Sequence, residues 1–243
     1  MNDLAGAGGA ADAGPADVPA DVVERLGRIG IVPVVEIPDV AAAAPLAEAL
    51  LRAGVPCAEI TFRTAAAAES IAAIRTSYPE LLVGAGTVLT VDQAALARDA
   101  GAQFVVTPGF GPAVVARCQA DGLPIIPGVC TPTEVQAALD AGVTVMKFFP
   151  AEAAGGVRYL RALGGPFKGV RFVPTGGIDA TNLADYLAAP GVLACGGSWF
   201  VRREWLVERD FAAVTAATAA AASIVAAVRD ASGSESAGSR AGS

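Results

Sequence analysis

The sequence predicts a single α/β domain, a (β/α)8 TIM barrel with an N-terminal lead-in helix. Three observations carry that expectation. Short β-branched runs alternate with Ala/Leu-rich stretches of helical period, and Gly or Pro separates them. The runs are apolar enough to be buried on both faces, as parallel strands covered by helices are. The length, 243 residues, suits one barrel, which typically takes about 250.

Residues 1–18 are acidic, small and poor in bulky apolar groups, so a disordered tail is expected there. The barrel is assigned to 19–231, opening with a lead-in helix at 21–29. Strands are expected at 31–37, 57–63, 82–86, 104–108, 124–129, 143–150, 171–176 and 192–196. Helices fit the intervals, among them 40–53, 92–100, 132–141 and 180–188. One long alanine-rich helix is expected from about 203 to 228, and a Gly/Ser-rich tail over 232–243. An open doubly wound sheet is the competing architecture, and its dinucleotide fingerprint is missing. Gly84-Ala85-Gly86 is followed by Thr87-Val88-Leu89 where a third glycine and a helix start belong.

Composition removes several function classes. The net charge of −7 argues against nonspecific nucleic-acid binding. No basic head followed by an apolar stretch marks a secretory signal, and no unbroken run of about 18 apolar residues marks a membrane span. A cytoplasmic protein without a membrane partner is expected. Cys57, Cys118, Cys130 and Cys195 are widely spaced and read as small buried hydrophobes. The chain has no histidine, which removes Ser-His and Cys-His pairs and the usual zinc ligand. No metal or cofactor is expected. Acid–base work then falls to a carboxylate, lysine, tyrosine or water. Of 17 basic residues, only Lys147 and Lys168 are lysines.

Charged residues inside strands need an explanation, because burying a charge is costly. In 57–63, period two puts Glu59, Thr61 and Arg63 on the axis-facing side and Ala58, Ile60 and Phe62 against the helices. A Glu59–Arg63 ion pair is the bland alternative, weakened by a Cα separation of about 13 Å along a strand. Lys147 shares the inward face with Val145 and Phe149. Desolvation there favours the neutral amine, the form that attacks a ketone; pairing with Glu59 is compatible with that role. Lys168 lies in a turn-like stretch and reads as a surface residue. Late glycine pairs, Gly176-Gly177 and Gly196-Gly197 before Ser198, fall where barrels often bind phosphate through backbone N–H groups. Thr87 and Thr107-Pro108 fall at the catalytic rim, and Glu36 lies near it without an assigned role.

Taken together, several runs resemble one family. They are Glu59-Ile60-Thr61-Phe62-Arg63-Thr64, Gly84 through Leu89, Pro127-Gly128 and Lys147-Phe148-Phe149-Pro150-Ala151-Glu152, followed by Pro174 through Ile178 and Gly196 through Trp199. Over roughly residues 22–210 the chain resembles the 2-keto-3-deoxy-6-phosphogluconate (KDPG) and 4-hydroxy-2-oxoglutarate (KHG) aldolases. The resemblance implies a Schiff base between Lys147 and a C2 ketone, with Glu59 shuttling protons. It places Arg63 and Thr87 at the substrate carboxylate, and Pro108 and Phe149 at the pyruvate end. Thr175 falls near the substrate hydroxyls, and Gly176, Gly177, Gly197 and Ser198 at the phosphate. It also implies a homotrimer. Phe62 stands where many relatives carry leucine, and Cys130 where serine or alanine is expected.

Three functions are compatible with these residues. The first is cleavage of KDPG to pyruvate and glyceraldehyde 3-phosphate, the Entner-Doudoroff reaction. The second keeps the Schiff base but uses 4-hydroxy-2-oxoglutarate or the galactonate isomer. The third is a non-catalytic barrel holding a phosphorylated ligand, against which the amine of Lys147 argues.

Overall fold

The computed structural model describes residues 18–240, with side chains through Ala231. Nine short strands follow in order: β1 Ile31–Val35, β2 Cys57–Thr61, β3 Leu82–Gly86, β4 Val105–Val106, β5 Ile125–Ile126, β6 Gly128–Val129, β7 Val145–Phe148, β8 Arg171–Pro174 and β9 Cys195–Gly197. They form a curled parallel sheet in two parts, a six-stranded part ordered β5-β4-β3-β2-β1-β9 and a three-stranded part ordered β6-β7-β8. Single parallel bridges, Phe172 to Val192 and Thr175 to Gly196, link β8 to the β9 region.

Each expected run contains strand structure, generally over a shorter span. The run at 124–129 is divided because Pro127 has no N–H to give to a ladder. Its carbonyl still accepts from Lys147 N–H at 2.9 Å. β2 stops at Thr61, so Arg63 lies in the turn beyond the strand and not on its inward face. The helix expected at 40–53 begins as a 3-10 turn, Val40–Ala42, before Ala43–Arg52, and that at 180–188 narrows to Leu183–Leu187.

The helix expected from 203 is two helices, Arg203–Val207 and Phe211–Arg240. Arg209 between them adopts φ 60°, a left-handed conformation that ends a helix. Asp210 then opens the next helix by accepting the Ala213 N–H at 2.9 Å. The backbone of that helix enters the segment assigned to a C-terminal tail. The proposed N-terminal tail lies outside the described residues except for Val18, which is buried.

By length and composition, Phe211–Ala231 could cross a membrane, with a mean hydropathy of 2.0. Isolated Thr and Ser residues disguise this in the sequence. Its buried positions, Val214, Thr218, Ala221 and Val225, follow the i, i+4, i+7, i+11 stripe of a helix lying on a core. It packs on the helices Ala43–Arg52 and Leu183–Leu187.

Two apolar cores explain where polar chemistry fits. One, holding Ala58, Ile60, Met146 and Phe148, lies between the sheet and its covering helices. The other lines the concave face with Val32, Cys57, Leu82, Phe104, Val145 and Val173, and the lead-in helix Ala20–Ile29 seals it with Val22 and Leu26. Side chains alternate along β2 and β7, so Glu59 and Lys147 stand one pleat above that apolar floor.

Candidate active site

Lys147 on β7 and Glu59 on β2 meet above the floor, with Nζ 3.4 Å from Oε1. Lys147 is 5% exposed and Glu59 2%. Two charges this deep are tolerated because they compensate each other. The pair replaces the Glu59–Arg63 contact that strand spacing had left open. Nζ also lies 5.2 Å from the centre of the Phe149 ring, a cation–π distance. Glu59 needs the absence of a side chain on β3: a Cβ at Gly86 would fall 2.2 Å from Oε1.

Above the pair, a cavity of about 510 Å³ opens at the C-terminal ends of the strands. Thr61, Lys147, Phe149 and Thr175 form its inner wall. The Thr61 hydroxyl donates to the Val35 carbonyl at 2.9 Å, which ties β2 to β1. Thr175 is buried against Gly196, where a Cβ would fall 2.3 Å from Oγ1. Arg63 lines the same cavity but is exposed, and it makes no ion pair among the described residues. It is therefore a free guanidinium suited to an incoming carboxylate.

The glycine turns also line this cavity, with Gly176 and Gly177 after β8 and Gly197 and Ser198 at the end of β9. Gly176 and Gly177 adopt φ 100° and 77°. Among the described residues, the N–H groups of Gly176, Gly177 and Ser198 have no backbone acceptor. Glu152 packs against Gly177 and accepts the Tyr186 hydroxyl at 2.5 Å. Burial, and then the neighbouring Glu152 carboxylate, pushes the Tyr186 phenol up. That brace holds the turn from behind.

Thr87 and Pro108 do not line the cavity wall. Thr87 follows Gly86, which touches Glu59, and adopts φ 55°, an unusual conformation for a β-branched residue. The Pro108 carbonyl packs against Gly128, the residue paired in register with Lys147. Cys130 donates its backbone N–H to Glu134 at 2.8 Å, and burial, then Glu134, raises its thiol pKa. Cys118 is pushed up to about 11 by burial, with Asp121 adding to the shift. Neither is an activated thiolate.

Glu36, expected near the rim without a role, lines the wall and pairs with Arg203 at 2.9 Å. Sequence reasoning missed Arg202 and Arg203, which with Trp199 complete that side. The available signals were a carboxylate interrupting an apolar run and a double arginine shortly after Gly196-Gly197-Ser198. A larger cavity, about 860 Å³, opens at the other end of the strands and is lined by residues such as Val23, Leu193 and Val225. None of the expected site residues lines it. Among the described residues, no group of three or more Cys, Asp or Glu side chains could hold a metal.

A family model described as KDPG and KHG aldolase matches residues 22–217. The chain belongs to the KDPG and KHG aldolase family. It is 55% identical over 195 residues to the 2-dehydro-3-deoxy-phosphogluconate aldolase of Treponema pallidum, covering 80% of this chain and 93% of that one. It is 44% identical over 185 residues to the KHG/KDPG aldolase of Escherichia coli K12, covering 76% and 87%. The KDPG aldolase of Legionella pneumophila, solved with pyruvate captured as a covalent carbinolamine, superposes with a TM-score of 0.79 at 37% identity, covering 82% and 97%.

Proposed function

We propose that this chain is a Schiff-base aldolase cleaving 2-keto-3-deoxy-6-phosphogluconate to pyruvate and glyceraldehyde 3-phosphate. The buried Lys147–Glu59 pair at the foot of the cavity carries the reading. Glu59 is the proton acceptor beside the ammonium, so proton transfer to it frees the Lys147 lone pair. Nζ adds to the C2 carbonyl, and the proton held by Glu59 passes to the oxygen to give a carbinolamine. Loss of water leaves an iminium, which draws electrons from the neighbouring bonds. Glu59 then takes the C4 hydroxyl proton, directly or through one water. The C3–C4 bond breaks, the aldehyde leaves, and its electron pair becomes an enamine on C3. Protonation at C3 and hydrolysis release pyruvate and restore the amine.

The remaining residues divide the substrate between them. Arg63 and Thr87 take the carboxylate, with Phe149 and Pro108 shaping the methyl-bearing end. Thr175 meets the hydroxyls. The N–H groups of Gly176, Gly177 and Ser198 receive the phosphate, with Gly197 leaving room for it on the cavity wall, a use of backbone donors suited to an anion. The Escherichia coli relative carries both the KHG and KDPG names. We therefore expect 4-hydroxy-2-oxoglutarate to turn over here as a weaker substrate, because it fills the lysine pocket and leaves the glycine turns empty.

The same reading closes the two parts of the sheet into one (β/α)8 barrel over residues 19–231. The β8–β9 bridges support one seam, and the division of 124–129 around Pro127 supports the other. It also carries the homotrimer and the cytoplasmic location expected from the sequence. A phosphorylated sugar acid is too highly charged to cross a bilayer unaided, so its enzyme belongs where the substrate is made. The decisive experiment is incubation with pyruvate and borohydride, then peptide mapping by mass spectrometry. A reduced pyruvate adduct is expected on Lys147 and is lost in Lys147→Ala. An adduct confined to Lys168, or none on folded protein, overturns the mechanism.

A further inference from the structure

Four cationic side chains line the site cavity, and three of them are already compensated. Lys147 has Glu59 at 3.4 Å, Arg203 has Glu36 at 2.9 Å and Arg202 has Glu204 at 3.8 Å, leaving Arg63 free. The Arg203–Glu36 pair, with side chains 53% and 36% exposed, differs from Arg28–Glu24 and Arg52–Glu48 in joining separate elements, whereas those span one helical turn. It joins the loop after β1 to the short helix Arg203–Val207, across a cavity that both residues line. Glu36 meets Arg203 through Nε. A guanidinium has further donors on its two terminal nitrogens, and here neither donates a hydrogen bond among the described residues.

We propose that Arg203 is a specificity-determining residue for the phosphorylated end of the substrate, and that Glu36 positions it. The inference rests on the aldolase reading. Arg203 follows Ser198 closely in sequence and shares its cavity wall, so it stands on the glycine-turn side, while Arg63 stands at the β2 end. Backbone N–H groups offer only partial charges, whereas a phosphate monoester brings about −1.5 to −2 at neutral pH. A chain with a net charge of −7 repels such a ligand at long range. The Arg203 guanidinium adds charge-assisted donors on the cavity wall beside the turns, and the Glu36 carboxylate on Nε tethers it there. Removing Arg203 alone would leave Glu36 facing the phosphate, which opposes binding.

The test compares kcat/KM for the phosphorylated substrate with kcat/KM for 4-hydroxy-2-oxoglutarate, in wild type, Arg203→Ala, Arg203→Lys and Glu36→Gln. Pyruvate–borohydride trapping is run on each. In Arg203→Ala the ratio is expected to fall about tenfold or more, chiefly through KM for the phosphorylated substrate. Arg203→Lys recovers most of the ratio because it restores the charge, and Glu36→Gln lowers it by a few-fold because the guanidinium loses its tether. If Arg203→Ala leaves the ratio unchanged while Lys147 still traps pyruvate, the pair is only a structural brace. The inference then fails and the aldolase reading stands. If wild-type protein traps no pyruvate, the aldolase reading fails and takes this inference with it.

Discussion

Replacing Lys147 with methionine separates what the buried pair does for stability from what it does for catalysis. At the observed 3.4 Å, two unit charges attract by about 5 kcal/mol at an effective dielectric constant of about 20. Both side chains are almost fully buried. Removing one partner from such a pair costs about 3–5 kcal/mol, since the other is left uncompensated. For a chain of this size each kcal/mol moves Tm by about 2–4 °C. Lys147→Met should therefore unfold about 6–20 °C below wild type and trap no pyruvate. The double variant Lys147→Met/Glu59→Leu removes both charges at similar volume, which is often neutral or stabilising. It should recover most of the lost stability and remain inactive. Denaturant unfolding at neutral pH, calorimetry and borohydride trapping on the three proteins measure this. If Lys147→Met lies within about 0.5 kcal/mol of wild type, a shift typical of a featureless surface position, the pair is not the buried ionic contact argued above. A double variant no more stable than the single one refutes it equally.

Three further outcomes follow from the geometry. Gly86→Ala places a Cβ 2.2 Å from Glu59 Oε1 and must move the carboxylate. Because a misplacement of about 1 Å can cost a reaction 100-fold, kcat should fall on that order while circular dichroism shows a retained fold. Thr87→Gly releases a β-branched residue from φ 55° and should stabilise by about 1 kcal/mol in denaturant unfolding; kcat/KM falls as the hydroxyl at the carboxylate end is lost, and a simultaneous loss of stability contradicts the strain. The Arg117 hydrogen bond beside Asp121, with Arg98 adding to it, holds that carboxyl below its ordinary range. A lowered folded-state pKa contributes stability that is present above the unfolded value near 3.9 and disappears as pH falls through the lower folded value. Arg117→Ala should thus flatten the stability-against-pH curve below about pH 4, and an unchanged acid limb rejects the linkage.

The sequence was most legible where burial and chemistry conflict. Lys147 and Glu59 interrupt apolar strands, and period-two alternation was enough to aim both inward and to leave their pairing open as one reading. Arg63 was placed on the same face by the same rule, but β2 ends at Thr61 and the side chain reaches the cavity from a turn. A period assumes that the strand continues, and no residue in the run announces its end. The final helix failed for a related reason: a helical period continues across the break at Arg209, whose left-handed φ closes the first helix, with the Asp210 N–H on the Trp205 carbonyl at 2.8 Å. Arg209 also donates hydrogen bonds to both carboxylate oxygens of Asp39 at 2.8 Å. Glu36 and Arg203 could not be paired from the sequence because neither lies in a motif, and only the fold brings the end of β1 beside the helix after β9.

The site is shaped as much by missing side chains as by present ones. At Gly86 a Cβ would strike Glu59, at Gly196 it would strike Thr175, and at Gly128 it would lie 2.2 Å from the Pro108 carbonyl. These glycines sit in or beside strands, where glycine weakens a ladder and signals close approach. Lower on the same concave face, Phe104, Val145 and Leu82 fill the space with apolar volume. One surface therefore changes along the strands from a packed floor to a level where glycine makes room for functional groups. That change fixes the depth at which a carbonyl carbon can meet Lys147: the apolar floor stops deeper entry, while Glu59 occupies the room that Gly86 leaves. Filling the glycine positions should thus impair chemistry more than folding, and truncating the floor should do the reverse.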